Sequence, residues 1–446
     1  MKLICVNIEG AVRLILLVLC ATMTASAEVK VLKNFTLFDG TGGPPLANAA
    51  MIVDSGRIQW AGPAAQLKPP AGAEIIDLAG RFVMPGIINL HGHVGNVVGL
   101  TQDPKFFTRD NIEKNLRTYA SYGVTTLLSM GTEQDAIFPI RDEQRRSGRP
   151  GMTRIYTAGR GFAFKGGYGG LAGVTFAPTS PAEIPAEVSE LAARKVDIVK
   201  IWVDDHMGHM KKMPLPISKA IIDSSRQHNL RVAAHIFYLQ DAKQLTDAGI
   251  YGLAHSVRDQ PVDQALIDSM KQHGTWQMAA TLTRELSTFV YAKPAPFLDD
   301  AFFTRSISPD VIAKLKSPDY QKTIAADPDF ARYGPILETA KKNLKKLVDS
   351  GVKYGFGTDT GPPGRFPGFF EHLELQLEVE AGLTPQQALL GATRNAAECL
   401  GASNDLGTLQ KGRWADLIVL RNNPLADIRN TRTIEAVWIA GNPIKR

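Results

Sequence analysis

Four of the nine histidines in this 446-residue chain stand in or just after short apolar segments that read as buried strands. They are His91 and His93 in "GIINLHGHV", His235 in "RVAAHIF" and His255 in "GLAHSV". Asp359 occupies a similar place in "KYGFGTDT", and Lys200 one in "VDIVKIWVDD". Imidazole nitrogen suits zinc and related transition metals, and carboxylate oxygen completes such a ligand shell. Each residue alone has a plainer reading, as a satisfied structural histidine or, for the aspartate before Thr-Gly, a turn residue. Their joint placement is what points to a metal centre. Lys200 is the odd member. Val196, Ile198, Val199, Ile201, Trp202 and Val203 around it fit a sheet covered on both faces. An ammonium there is costly unless it is paired, neutralised or chemically modified. Pairing with Asp204 or Asp205 is the plain alternative to modification.

The elements that must position these residues follow from the texture of the chain. From residue 84, apolar strands alternate with longer helical segments, the pattern of parallel β/α units. Candidate strands are 86–94, 124–131, 153–161, 197–205, 231–237, 252–257, 275–282 and 353–360. Eight such units predict an α/β fold, a (β/α)8 TIM barrel over 84–405 whose site forms at the C-terminal strand ends. Spacing i,i+2 puts His91 and His93 on one strand face. Six polar residues then converge from five strands on one rim. Short strands and Gly/Pro/Asp turns in 28–83 and again in 406–446 predict a small β-sandwich built from both chain ends. The segment 284–335 is long for a loop and is expected to form a lid with short helices of its own.

Gross composition bounds the function. Hydrophobic residues at 44% and charged residues at 21% place the chain among ordinary globular proteins. The net charge of +6 is modest for the length, and "KKNLKK" (341–346) suits a solvated helix face, so no nucleic-acid partner is expected. Lys2 and Arg13 flank the apolar run "LILLVLC", which ends in "ATMTASA". Residues 1–27 therefore read as a secretory signal peptide, with an exported, periplasmic or secreted mature chain and no membrane span after cleavage. A lipid anchor at Cys20 is disfavoured by the bulky Leu19 before it. Cleavage leaves a net charge of +5 and one cysteine, Cys399, which cannot form an internal disulfide and reads as a buried structural thiol.

With these motifs in this order, the chain resembles the amidohydrolase superfamily, in its imidazolonepropionase-related and Xaa-Pro dipeptidase-like branch. The resemblance spans 28–446 and rests on "VMPGIINLHGHV", "DIVKIW", "AAHIFYLQDAKQLTDAGIYGLAHSV", "GFGTDTG" and "GTLQKGRWADLIVLRNNPLADI". It implies a hydrolase with two divalent metal ions, zinc being the expected one. His91, His93 and Asp359 would hold the first metal, His235 and His255 the second, and a carbon dioxide-derived carbamate on Lys200 would bridge them. A desolvated lysine has a lowered pKa and a nucleophilic neutral amine, and a carbamate can span cations about 3.5–4 Å apart. The resemblance further implies a metal-bridging hydroxide as nucleophile, with Asp359 as general base and then general acid.

One departure is informative. Cyclic-imide hydrolases and deaminases of the superfamily carry a glutamate three residues after the fifth-strand histidine, and here that residue is Tyr238. A tyrosine cannot play the carboxylate's role near neutral pH, which argues against imidazolonepropionase or deaminase activity, but its hydroxyl can donate to a developing oxyanion. Arg258, Arg160, Lys165, Tyr168 and Arg284 are candidate contacts to a substrate carboxylate, with Thr281 and Thr283 as lesser ones. The glycine-rich "GRGFAFKGGYGG" lacks the features of a phosphate loop. His206 and His209 read as a loop near the pocket mouth, and His372 as a structural residue. The expected function is cleavage of an amide bond in a small-molecule substrate such as a dipeptide or N-acyl amino acid. Alternatives are an esterase, lactonase or cyclic-amide hydrolase on the same site, or a barrel that only binds. A homo-oligomer is left open.

Overall fold

The computed structural model describes residues 29–148 and 151–444. The signal-peptide reading of 1–27, with Cys5 and Cys20, lies outside the described residues. Parallel strands rich in Val, Ile, Leu and Ala form two sheets. One joins Ile87–Gly92, Val124–Ser129 and Arg154–Thr157. The other joins Phe162–Ala163, Val199–Trp202, Val232–His235, Gly252–Leu253 and Trp276–Gln277. Amphipathic helices follow most strands; Thr108 caps Arg109–Ser121, and Asp263 caps Gln264–His273. A shared buried cluster that includes Ile88, Leu90, Leu128, Ile198, Ala233, Ala254 and Met278 ties the strands together.

Seven of the eight expected strand segments are strands, most of them shorter than the sequence suggests. The eighth, 353–360, makes only isolated parallel bridges, Gln277 with Tyr354 and Gly92 with Thr360. It is still tied to both neighbours, the Gly355 N–H donating to the Gln277 carbonyl (3.0 Å) and the Leu90 N–H to the Phe356 carbonyl (2.8 Å). A Cβ on Gly355 would stand 2.6 Å from Leu90 Cδ1, and one on Gly357 2.7 Å from Ala279 Cβ, so glycine is needed for this close packing.

Both chain ends meet in a single seven-stranded sheet. Its order is Asn442–Pro443, Ile434–Ile439, Leu417–Leu420, Glu74–Pro85, Lys30–Leu37, Leu46–Asp54 and Arg57–Pro63. Residues 417–420 pair antiparallel with 82–85, so the chain's last strands complete what its first strands begin. The segment 284–335 is helical, as expected: Leu282–Ser287, Ala301–Thr304, Pro309–Lys316 and Pro318–Ala325 precede the long helix Phe330–Asp349. In that helix Asn343 and Leu344 face inward, while Lys342 and Lys346 are exposed. Cys399 is buried, and burial pushes its thiol up to about 12. No helix among the described residues is long and apolar enough to cross a membrane.

Candidate metal centre

The strand Ile87–Gly92 is buried along its whole length, so His91 leaves it already desolvated and His93 follows just past its end. The His91 Nδ1–H donates to the Ala254 carbonyl (2.9 Å), which leaves Nε2 with its lone pair turned to Lys200 Nζ at 3.3 Å. His93 lies within 3.1 Å of Thr132 Oγ1 through Nδ1 and 3.0 Å of Asp359 Oδ1 through Nε2. Asp359 Oδ1 is also 3.5 Å from His91 Nε2. Donor atoms of His91, His93 and Asp359 therefore lie within 4.8 Å of one another.

Asp359 reaches this place through an unusual backbone. Its φ is +60°, and its N–H, like that of Thr358, donates to the His91 carbonyl. Aspartate tolerates the left-handed region better than most residues, and such conformations collect at functional sites. Gly357 permits the approach, since a Cβ there would stand 2.9 Å from His91 Cβ. Burial pushes the Asp359 carboxyl up, but Arg365, His91 and His93 outweigh it and hold the group well below the usual range. Arg365 pairs with its Oδ2.

Lys200 lies within Val199–Trp202, not at its end, and is fully buried. Its stem is so close to Gly131 that a Cβ there would come within 2.8 Å of Lys200 Cγ. Neither Asp204 nor Asp205 pairs with it. Asp204 Oδ2 takes the Nε2–H of His235 at 2.7 Å, and Asp205 accepts the Tyr238 hydroxyl at 2.7 Å. Burial pulls the Lys200 ammonium down to about 7, opposed by the charges of Asp359 and Glu133, so the neutral amine is well populated near neutrality. Burial also lowers His235, to about 4, and His255.

His255 completes the cluster, its ring 4.1 Å from that of His235 and 4.6 Å from that of His91. Its Nδ1 sits 2.7 Å from Thr281 Oγ1, and its buried Nε2 has no protein partner. An orphaned buried acceptor costs about 1–3 kcal/mol. The His235–Asp204 pair leaves Nδ1 as the lone-pair nitrogen of that ring, the carboxylate–histidine arrangement that orients metal ligands and raises their basicity. The orphan, the fixed tautomers and the mixed nitrogen and oxygen donors fit divalent metal ions.

Beside His235 lies a second cluster. Arg258 is 1% exposed; its Nη1 donates to the Ile236 and Ser256 carbonyls, its Nε lies 3.0 Å from Glu285 Oε1, and its Nη2 has no partner. Arg284 holds Glu285 through Nη1 and the Tyr168 hydroxyl through Nη2 (2.9 Å). Arg258 and Arg284, with Asp204, His206 and Phe237, line one small cavity. The other candidates make contacts of their own. Arg160 is half-exposed and leans toward Glu190 at 3.9 Å, and Lys165 is exposed. His206 stacks on Tyr168, His209 bonds Asp329 at 2.7 Å, and His372 bridges the Tyr122 carbonyl and Thr431 away from the cluster. Asp204, Glu285, Arg365 and Thr132 were missed as members of the site. The adjacent "DD" after the fourth strand is the one signal that pointed to any of them.

A family model, the amidohydrolase family, matches residues 82–444. The imidazolonepropionase of Pseudomonas putida strain GB-1 is 27% identical over 420 residues, covering 90% of this chain and 92% of that protein. Among solved structures, a Xaa-Pro dipeptidase with bound methionine superposes with a TM-score of 0.73 at 19% identity, covering 94% of this chain and all of that one. Phenylurea hydrolase B superposes with a TM-score of 0.72 at 22% identity, covering 94% and 97%. The fold is thus of the TIM-barrel type with mixed α and β content. The chain belongs to the amidohydrolase family. It is an enzyme, a hydrolase acting on carbon–nitrogen bonds of small molecules.

Proposed function

We propose that this chain is a binuclear metal-dependent amidohydrolase, exported by its leader, that cleaves the amide bond of a dipeptide or N-acyl amino acid. The observation that carries this reading is the convergence of His91, His93, Asp359, Lys200, His235 and His255, with the Nε2 of His255 left unpaired. His91, His93 and Asp359 would hold one metal, His235 and His255 the other, and carboxylated Lys200 both. The neutral Lys200 amine attacks carbon dioxide, an N–C bond forms, and a proton leaves to solvent. The bound metals would polarise the scissile carbonyl and acidify water as Lewis acids. Asp359 takes the proton of the attacking water and returns it to the departing nitrogen.

The free Nη2 of Arg258, with Arg284 beside it, supports recognition of a substrate carboxylate through the cavity next to His235. Tyr238 can serve a developing oxyanion only by leaving Asp205. In this reading the parallel segments close into one ring through the bridges of 353–360, and the seven-stranded sheet folds over as the small β-sandwich. Cyclic-amide hydrolysis is the second reading, favoured by the similarity to an imidazolonepropionase; the absence of a carboxylate at Tyr238 weighs against it.

Metal analysis of protein made with zinc and bicarbonate present should find two metals per chain, and one or none sinks the binuclear reading. A panel of dipeptides, N-acyl amino acids, imidazolonepropionate and lactones should show turnover of the dipeptides or N-acyl amino acids. Preference for the uncharged lactones or the cyclic amide overturns the substrate assignment.

A further inference from the structure

The helix Phe369–Glu380 carries Glu371, Glu374 and Glu378, all fully buried. Buried carboxylates are rare unless partnered. Glu378 meets the hydroxyl of Tyr354. Glu371 gathers Asn89, Thr358 and Thr360 around the strand ends that carry His91 and Asp359. Glu374 touches no metal-ligand candidate. It accepts the N–H groups of Leu282 and Thr283, both at 2.7 Å, and the Thr283 hydroxyl at 2.6 Å.

Those two N–H groups directly follow Thr281, a β-branched residue held at φ +55°. Such a residue avoids the left-handed region unless its surroundings impose it. The Thr281 hydroxyl in turn lies 2.7 Å from His255 Nδ1. The site repeats this arrangement once more. Buried Glu133 accepts the N–H groups of Gly131 and Thr132, and the Thr132 hydroxyl meets His93 Nδ1 at 3.1 Å.

We propose that Glu374 is a positioning residue for the second metal: its carboxylate clamps peptides 282–283, which holds Thr281 where it receives the Nδ1–H of His255 and aims the Nε2 lone pair into the centre. The inference rests on His255 as a ligand of that metal. The link runs through backbone and hydroxyl only, so its loss should weaken one metal equivalent and spare the one held by His91, His93 and Asp359.

The test is zinc titration of the full-length, metal-stripped protein against a chromogenic chelator, with unfolding followed in parallel. Wild type should take two equivalents. Glu374→Gln, which turns one acceptor oxygen into a donor facing N–H groups, should weaken the second by about 10–100-fold, the usual effect of losing an outer-shell partner, and leave the first within about twofold. Thr281→Val should do the same, and Thr281→Ser should restore wild-type binding. Glu378→Gln, on the same helix but bonded to Tyr354, should keep both equivalents even if stability changes. An unchanged second equivalent in Glu374→Gln, or an equal loss in Glu378→Gln, overturns the inference. Should Glu374→Gln fail to fold, Glu374→Asp, which keeps the charge but is one methylene short of both N–H groups, takes its place, and an unchanged second equivalent there overturns the inference, as does equal binding by valine and serine at 281. A wild type that takes fewer than two equivalents fails the binuclear reading itself and removes this inference with it.

Discussion

At the scale of single residues, Lys200 is the most consequential side chain. An amine buried with no carboxylate at ion-pair distance, among the described residues, and with its pKa drawn to about 7 by burial is poised to be neutral. Carbamate formation would return a charge to this position, as an anion where cations can balance it. Lys200→Ala should therefore cut metal content from two equivalents toward one or none, with partial recovery of activity on adding formate or acetate. Unchanged metal content and activity in that variant would refute the bridging role. The anomaly was legible in the sequence because an apolar strand advertises its one charged member. The partners were not. Asp204 was a candidate partner for Lys200 and instead fixes His235, since Nε2 of that ring meets it at 2.7 Å. Arg365 meets Asp359 only because the Gly-Pro-rich loop between them folds back.

At the scale of elements, the strand ends carry the site, and the loops that leave them set its geometry. The apolar runs announced eight parallel strands, seven of which form, because buried sheets leave a continuous apolar signature. The eighth segment pairs through isolated bridges, and its glycines let it pass close to Leu90, Ala279 and His91. Gly357 is thus a sensitive point for both packing and metal binding. Gly357→Ala should destabilise the fold by about 1–3 kcal/mol, the range of overpacked cores, and should lower zinc affinity by displacing His91. Denaturant unfolding of the metal-free protein and zinc titration measure the two effects. A variant that binds zinc normally would show that the backbone yields without moving His91.

At the scale of the whole molecule, long-range pins join segments distant in the chain. His372, on helix Phe369–Glu380, donates from Nε2 to the Tyr122 carbonyl (2.8 Å) and lies 2.9 Å from Thr431. Burial pulls its imidazole down to about 3, against an ordinary 6.5. A depressed base contributes stability that is complete above about pH 6.5 and is lost as pH falls, because the unfolded chain takes up the proton first. The advantage of wild type over His372→Gln should shrink by up to about 1.4 kcal/mol per pH unit below 6.5. Denaturation of the metal-free proteins between pH 7 and pH 5 checks this, and a constant difference would show that His372 stays protonatable in the fold.

The sequence by itself determined the α/β class, the ligand-type residues and the buried lysine. Hydrophobic periodicity and residue chemistry are local properties, readable without a partner in space. Tertiary structure alone decided which carboxylate meets which base, the order in which strands from both chain ends share one sheet, and that Glu374 reaches the loop holding His255. Those contacts link positions tens to hundreds of residues apart, and their geometry arises only when packing brings the segments together.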